Sequence, residues 1–577
     1  MVTMVIGVLV ARSSNKSSSD FFLGGRNMPW WLLGVSMVAT TFSADTPNLV
    51  TDLVRTQGVA GNWAWWAFLL TGMLTVFVYA KLWRRSGITT DLEFYELRYS
   101  GVEAQFLRGF RALYLGVFFN VMIMASVLLA GIKISSILLG LNAYQTVALV
   151  SLVTVVYSTI GGFKSVIYTD FFQFVLAMIG MVWAAVYIVN LPEIGGLTAL
   201  IAHPAVAAKK DFLPDFSDIN TVIPLLIIPL AVQWWSVWYP GAEPGGGGYI
   251  AQRMLSAKDE KNAVIATLLF NVAHYALRPW PWILIALASL IVFPTVGDIA
   301  VKFPGIQPSF LKDDIAFSAM LSYLPSGLLG LVIASLIAAL MSTISTHLNW
   351  GSSYIVNDFY QRFVKPEATE QELVNVGQYS TVILMILAAI FSLFLTNALQ
   401  AFNILLQIGA GTGLLFILRW FWWRVNASSE IVAMVVSFII ALVMELVVRD
   451  GLLSYQKLLI GVGITTIAWI ATAYLTKPTS YKVMLNFYKT IKPHHYGWMP
   501  VINQGLADGS LTKISNATGK LSSELLLMFL GCCGVYGLLF GIGFFLYGEP
   551  TYSMIAISST VLVTIIMLRV WNNIERN

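Results

Sequence analysis

The chain has 577 residues, of which 57% are hydrophobic and only 11% are charged. A soluble globular domain carries about 25% charged residues, so this composition excludes an ordinary soluble fold. The net charge of +5 comes from lysines and arginines spread over many short loops, so it does not indicate a nucleic-acid-binding protein.

The hydrophobic residues come in long blocks, such as VALVSLVTVVYSTIGG from Val147, that lack the alternation of barrel strands. A helix needs about 20 apolar residues to cross a bilayer, and in lipid only helices and closed barrels satisfy the backbone. We therefore predict an all-α polytopic membrane protein with about 14–15 transmembrane spans. The predicted segments are 1–11 (a shortened first helix), 31–56, 60–83, 106–138, 143–160, 166–190, 220–240, 262–294, 314–362, 376–397, 400–423, 430–448, 454–475, 524–547 and 551–571.

Positive charge predicts the orientation of these spans. If the loop from Arg12 to Arg26 is cytoplasmic, alternate loops hold most of the remaining lysines and arginines, while the opposite set is poorer in them. Lys209 and Lys210 are exceptions in a longer loop. The C-terminus then lies in the cytoplasm, and the topology suits a plasma membrane or a bacterial inner membrane.

Two predicted spans contain helix breakers near their middles. One is VATTFSADTPNLV, from Val38 to Val50, and the other is WWSVWYPGAEPGGGGYIAQR, from Trp234 to Arg253. Ordinary proline kinks are one explanation. Interrupted helices in corresponding positions also indicate inverted repeats, with the substrate and ion sites at the breaks. No nucleotide-binding motif is present, so transport here runs downhill or on an ion gradient.

Five segments, in chain order, resemble the sodium:solute symporter family. They are SSDFFLGGRNMPWWLLGVSMVATTFSAD, GGFKSVIYTDFFQF, YIAQRMLSAKD, AALMSTISTHLNWGSSYIVNDFYQRF and LRWFWWRVNASSEIVAM, within residues 18–435. The resemblance implies a LeuT-like fold of two inverted five-helix repeats with flanking helices. The expected organisation is 1–30 (shortened helix and cytoplasmic loop), 31–190 (first repeat), 220–423 (second repeat), 430–475 (additional helices), 476–523 (cytoplasmic loop) and 524–577 (C-terminal helices).

The resemblance also implies a sodium site made of backbone carbonyls and hydroxyl groups. Carried over by motif, its ligands are Ala39, Phe42, Ala339, Ser342 and Thr343. Some family members hold a second sodium, and the matching residues are Asp170, Ser342, Ser345 and Thr346. Asp170 is alternatively an interface residue paired with a lysine such as Lys164, and the hydroxyls alternatively serve helix packing. No cofactor other than sodium as coupling ion is implied.

Substrate residues are expected between the two breaks. The candidates are Thr41, Asp45, Thr46, Trp65, Phe68, Gln233, Trp238, Glu243, His274, Tyr275, Arg278, Asn403 and Gln407. Trp65 and Phe68 depart from the polar pattern of the family's sugar carriers. Arg278 pairs with a substrate carboxylate or forms a structural ion pair with Asp45 or Glu243. His274 is a substrate ligand or a hydrogen-bonded core residue.

The leading prediction is therefore a sodium-coupled symporter, not an enzyme. It imports a small polar solute, either a sugar or polyol or a carboxylate-bearing metabolite, by alternating access across the lipid bilayer. Two other classes remain open. A haem-binding redox subunit would need His274 and His347 on facing helices. A passive channel or a transporter-like sensor is the other, although a sensor normally has an output domain.

Overall fold

The computed structural model describes residues 18–236, 243–306, 308, 311–395, 409, 411–448, 451–514 and 521–576. In these ranges nine helices are long and apolar enough to cross a membrane, and four shorter apolar helices accompany them. We number them together in chain order. They are α1 Trp30–Thr41, α2 Val59–Ser86, α3 Val102–Leu138, α4 Ala143–Val156, α5 Gly162–Val189, α6 Ile219–Ala231, α7 Glu260–Val292, α8 Ser326–Val364, α9 Glu370–Ser392, α10 Ala427–Val443, α11 Ser454–Leu475, α12 Leu521–Leu546 and α13 Pro550–Asn573.

Each of these helices coincides with one predicted span, so the all-α prediction is confirmed. The segment 1–11 lies outside the described residues, and 400–423 lies partly outside them. The described ranges contain no β-strand, only an isolated bridge between Met28 and Ala257. The predicted loop 476–523 contains two short helices, Tyr481–Ile491 and Met499–Ala507.

The two predicted spans that contain helix breakers are both interrupted in the structure. The segment 31–56 forms α1 and a second helix, Thr46–Gln57, separated by Phe42–Asp45. Helix α6 ends at Ala231 and is followed by a single 3-10 turn, Gln233–Trp235, and the next described helix is Gly248–Ser256. The α1 and α6 breaks lie five spans apart, as the inverted-repeat prediction requires, and the repeat boundaries themselves stay a prediction.

Local capping residues set several other helix starts. Asn142 and Gln145 form a reciprocal capping box before α4, and Asn426 and Ser429 form one before α10. Between α4 and α5 the backbone departs from helical geometry at Gly162, where φ is 55°. A residue with a side chain rarely adopts this conformation, so glycine permits the turn from one span into the next.

The helices pack into one core in which α1 contacts α5, α7 and α8, and α5 contacts α8. The C-terminal hairpin of α12 and α13 docks through α12 onto α2 and α7. The lysine- and arginine-rich loops meet at one end of the bundle, which we call the basic face. There Arg85 pairs with Glu260 at 2.9 Å and Arg362 with Glu96 at 2.8 Å. The other end we call the opposite face.

Candidate functional site

The first break ends α1 where backbone carbonyls lose their helical partners. The amide of Phe42 turns back to the carbonyls of Val38 and Ala39, at 2.9 and 3.2 Å. The chain then leaves helical geometry until Thr46. Carbonyl oxygens at such a break are suitable ligands for sodium because they add no net charge.

Helix α8 presents hydroxyl groups to this break. Thr343 Oγ1 is 3.0 Å from the carbonyl of Thr40 and 3.2 Å from that of Ala339. Ala339, Ser342 and Thr343 are all buried. The structure therefore places the predicted ligands of α1 and α8 on two helices that touch at this point. Their role as sodium ligands stays a prediction.

A buried polar cluster lies beside these residues, around Asp170 on α5. Its carboxylate accepts hydrogen bonds from Ser36 at 2.5 Å and from Ser342 at 2.6 Å. The Arg253 guanidinium is 3.4 Å away, and both charged side chains are fully buried. The cation beside Asp170 is thus Arg253, from the YIAQR segment after the second break, and not the Lys164 considered from the sequence.

Arg253 also reaches the remaining hydroxyls of the predicted second sodium site. Its Nη2 donates to Thr346 Oγ1 at 2.9 Å, and Thr346 lies 3.0 Å from Thr40 Oγ1. Ser345 differs, because its hydroxyl donates to the Ser342 carbonyl of its own helix. The structure therefore brings Asp170, Ser342 and Thr346 together around Arg253 and turns Ser345 away from them.

The predicted substrate residues of α1, α2 and α7 form a second group on the other side of the first break. Thr41 Oγ1 lies 3.1 Å from His274 Nδ1 and 3.3 Å from Arg278 Nη1. Trp65 packs edge-on against His274 at 5.7 Å and stacks on Tyr275 at 5.8 Å. This group combines polar atoms with flat aromatic surfaces, which suits a small polar solute.

The partners of His274 assign its tautomer. Nε2 lies 3.4 Å from Arg278 Nη2, and because a guanidinium only donates, Nε2 is the acceptor. Nδ1 then carries the ring hydrogen and donates a hydrogen bond to Thr41 Oγ1. His347, on α8, lies 2.5 Å from Asn120 Oδ1 through its own Nδ1. The two histidines are thus held by different neighbours.

The second break contributes Gln233, and Asp45 and Thr46 lie at the first. Gln233 Nε2 donates to the Ala64 carbonyl on α2 at 2.7 Å. Asp45 and Thr46 are half-buried, whereas Phe68 is buried in the core. Trp238, Asn403 and Gln407 lie outside the described residues.

Glu243 does not join this group. Its carboxylate pairs with Arg111 and lies 2.7 Å from Arg419, and Arg419 also pairs with Glu430 at 3.1 Å. Two guanidinium groups already satisfy this buried carboxylate, so it serves a structural network near the basic face. The alternative in which Glu243 pairs with Arg278 is therefore incorrect.

Sequence reasoning missed three residues of these clusters: Ser36, Thr40 and Arg253. Ser36 and Thr40 lie one turn apart on α1 and face α5 and α8. Their spacing of four residues in the sequence could have shown that they share one face of the helix. The described residues contain no group of three or more His, Cys, Asp or Glu side chains arranged around a metal. Sodium would depend instead on carbonyls and hydroxyls.

Comparison with known proteins gives consistent results. Residues 21–437 match the sodium:solute symporter family. The sodium/glucose cotransporter of Vibrio parahaemolyticus is 26% identical over 76% of this chain and 82% of that protein. The sodium/sialic acid symporter SiaT of Proteus mirabilis is 26% identical over 76% of this chain and 86% of its own length.

A solved structure supports the fold. The substrate-bound, outward-open structure of a sodium-coupled sialic acid symporter superposes with a TM-score of 0.67 at 23% identity. It covers 83% of this chain and 96% of that one. The LeuT-like architecture expected from the sequence is thereby confirmed. The family match spans most of the chain, and we conclude that the chain belongs to the sodium:solute symporter family and is a membrane transporter that couples sodium to the import of a small solute.

Proposed function

We propose that sodium binds at the first break, between Ala39 and Phe42 of α1 and Ala339, Ser342 and Thr343 of α8. The observation that carries this proposal is the contact of Thr343 Oγ1 with the Thr40 carbonyl at 3.0 Å. This contact places a hydroxyl group of α8 against the carbonyl end of α1. A sodium ion there ties the two helices together, and its removal lets them separate.

The neighbouring substrate group explains how the ion couples to the solute. Thr41 follows Thr40 directly and contacts His274 and Arg278. Ordering the end of α1 by sodium therefore positions the substrate residues of α1 and α7. The solute in this proposal is a sugar or polyol or a carboxylate-bearing metabolite. The sugar and sialic acid carried by the relatives support a polar solute.

We further propose that the basic face is cytoplasmic and that the C-terminus lies on that side, in a plasma or bacterial inner membrane. The positive-inside bias supports this orientation. Exposed apolar side chains on outer helices, such as Trp183, Ile383 and Ile555, suit contact with lipid. Each sodium ion moving inward then gains about 2.3 kcal/mol for every 100 mV of membrane potential.

Thermal unfolding of the detergent-solubilised protein in sodium against potassium tests the ion site. A ligand at 100 times its dissociation constant adds about 2.7 kcal/mol to the folded state. We expect wild type to be stabilised by sodium alone and Ser342→Ala to lose most of this shift.

The matched control is Ser352→Ala. Ser352 lies on the same helix and is equally buried, and its hydroxyl donates to the Asn349 carbonyl of its own helix. It should keep the sodium shift. A shift that survives in Ser342→Ala, or is equal in potassium, would refute the proposed site.

A further inference from the structure

Arg278 is a buried cation with no carboxylate in direct contact among the residues that the structure describes. It is 1% exposed and follows the irregular segment Ala273–Leu277 of α7. Its Nη1 reaches the Val38 carbonyl at 3.4 Å, and its contacts to Thr41 and His274 are 3.3 and 3.4 Å. Its Nε has no hydrogen-bond partner in the described part of the chain.

Other buried arginines of this chain have short contacts of one of two kinds, although Arg98 Nη1 and Arg419 Nε, like Arg278 Nε, have no hydrogen-bond partner among the described residues. Some have a carboxylate: Arg55 lies 2.7 Å from Asp313, and Arg419 is 2.7 Å from Glu243. Arg98 instead donates to four backbone carbonyls, three of them within 3.1 Å. Over the residues that the structure describes, no carboxylate lies within 4.0 Å of Arg278.

The groups around Arg278 do not replace a counter-ion. The carbonyl end of α1 attracts a cation only weakly, and His274 is neutral in the tautomer assigned above. Trp282 offers its ring face at 5.3 Å and is itself stacked on Phe42. These contacts orient the guanidinium but give it no carboxylate in direct contact, which is costly for a charge in a buried site.

The position of Arg278 indicates which negatively charged group binds its guanidinium. It shares Thr41 with the first break and lies in the group that includes Trp65 and Tyr275. A guanidinium is a planar fork that matches a carboxylate through two parallel hydrogen bonds. We propose that Arg278 binds the carboxylate of the transported solute, so that the substrate is a small organic acid and not a neutral sugar.

Asp45 further restricts the kind of organic acid that Arg278 would bind. It interacts electrostatically with Arg278, yet the two do not form an ion pair. An ionised Asp45 would repel a second negative charge on a solute bound to Arg278, which favours a monocarboxylate. This inference rests on the proposed function, because it assumes that the group around Thr41 is the substrate site.

The test compares matched pairs of probes on the full-length protein in lipid nanodiscs. Each pair is a monocarboxylate and its neutral or amide counterpart: galacturonate with galactose, lactate with propane-1,2-diol, and alanine with alaninamide. Thermal unfolding is measured at constant ionic strength in saturating sodium. We expect stabilisation by at least one carboxylate and by none of the counterparts.

Variants then assign the effect to Arg278. Arg278→Gln should weaken the affinity for the carboxylate about tenfold or more, because the carboxylate would lose its two parallel hydrogen bonds from the guanidinium. Arg278→Lys should keep part of the carboxylate affinity. Both variants should still be stabilised by sodium alone, which would show that they fold. The control is Arg85→Gln, an arginine of the basic face that pairs with Glu260 far from the site.

Three outcomes would overturn the inference: equal stabilisation by the counterparts, no response to any carboxylate, or a response that survives in Arg278→Gln. Chloride is varied separately, and stabilisation by chloride alone would assign Arg278 to an inorganic anion. If wild type lacks the sodium shift but carboxylates still act in potassium, the sodium proposal fails and the Arg278 inference stands.

Discussion

Asp170 has two candidate cations, the Arg253 guanidinium beside it and a sodium ion. In this structure the carboxylate accepts from Ser36 and Ser342 and pairs with Arg253. A second sodium at Asp170 would have to compete with Arg253 or displace it. The same residues thus suit a structural ion pair or an ion site that opens when Arg253 moves.

The ion pair predicts a large stability effect. Asp170→Asn should lower the free energy of unfolding by about 3–5 kcal/mol, because it leaves Arg253 buried and unpaired. The double variant Asp170→Asn with Arg253→Gln should recover part of this loss. Chemical unfolding of the single and double variants in potassium measures both. A single variant as stable as wild type would contradict the pairing.

Thr343 allows a finer test of the predicted sodium site. Thr343→Val keeps the shape of the side chain but removes the hydroxyl that contacts the Thr40 carbonyl. We expect sodium affinity to fall about tenfold or more, equivalent to about 1.4 kcal/mol. Thr343→Ser retains the hydroxyl and should bind sodium nearly as well as wild type. Sodium titrations of thermal stability would show this, and equal affinity for all three proteins would exclude Thr343 as a ligand.

At the scale of elements, the junction between α4 and α5 depends on one glycine. A Cβ added at Gly162 would lie 2.9 Å from the ring of Phe21 and 3.0 Å from its carbonyl oxygen, and φ is +55°. The junction therefore needs both the open space and the backbone freedom of glycine.

Gly162→Ala should destabilise the protein by about 1–3 kcal/mol, through backbone strain and the clash with Phe21. Gly330→Ala is the matched control, because Gly330 lies inside α8 with nothing within 4 Å of an added Cβ. Alanine there should be neutral or stabilising by about 0.5–1 kcal/mol. The unfolding temperature should fall for Gly162→Ala and stay unchanged or rise for Gly330→Ala, and a neutral Gly162→Ala would refute the strain argument.

At the scale of the whole molecule, charged contacts bridge the two predicted repeats at both faces. On the opposite face Arg55 binds Asp313 at 2.7 Å, and Lys133 lies 3.2 Å from Asp314. On the basic face Arg108 binds Asp358 at 2.7 Å. Alternating access requires each set to open in turn, so the balance between them sets the population of outward- and inward-open states.

Removing one bridge from each face should have opposite effects on sodium binding. If sodium favours the outward-open state, Arg55→Gln should raise the apparent sodium affinity and Arg108→Gln should lower it, about tenfold for each 1.4 kcal/mol of bias. Lys365→Gln is the control, because Lys365, just after α8, pairs at the surface with Glu372 in the first turn of α9, within the second predicted repeat. Sodium titrations that shift in the same direction for both variants would contradict this balance.

Hydropathy, breakers and motifs determined the helical class, the position of most spans, the two interruptions and the family. These features are local. A run such as that of α11 is apolar regardless of its neighbours, and Pro47 or the glycines at 245–248 interrupt a helix wherever it packs. Motif order carried the family assignment for the same reason, since it is read along the chain.

Tertiary structure alone decided which charges meet. Arg253 lies beside Asp170, 83 residues away, and Glu243 lies between Arg111 and Arg419. Ser345 turns back to its own helix while Ser342, one turn earlier, reaches Asp170. These pairings depend on the rotation of each helix and on which helices touch, and a difference of one position changes the face that a side chain occupies. The fold likewise gives Arg55 and Arg419 carboxylate partners and leaves Arg278 with none within 4.0 Å among the described residues.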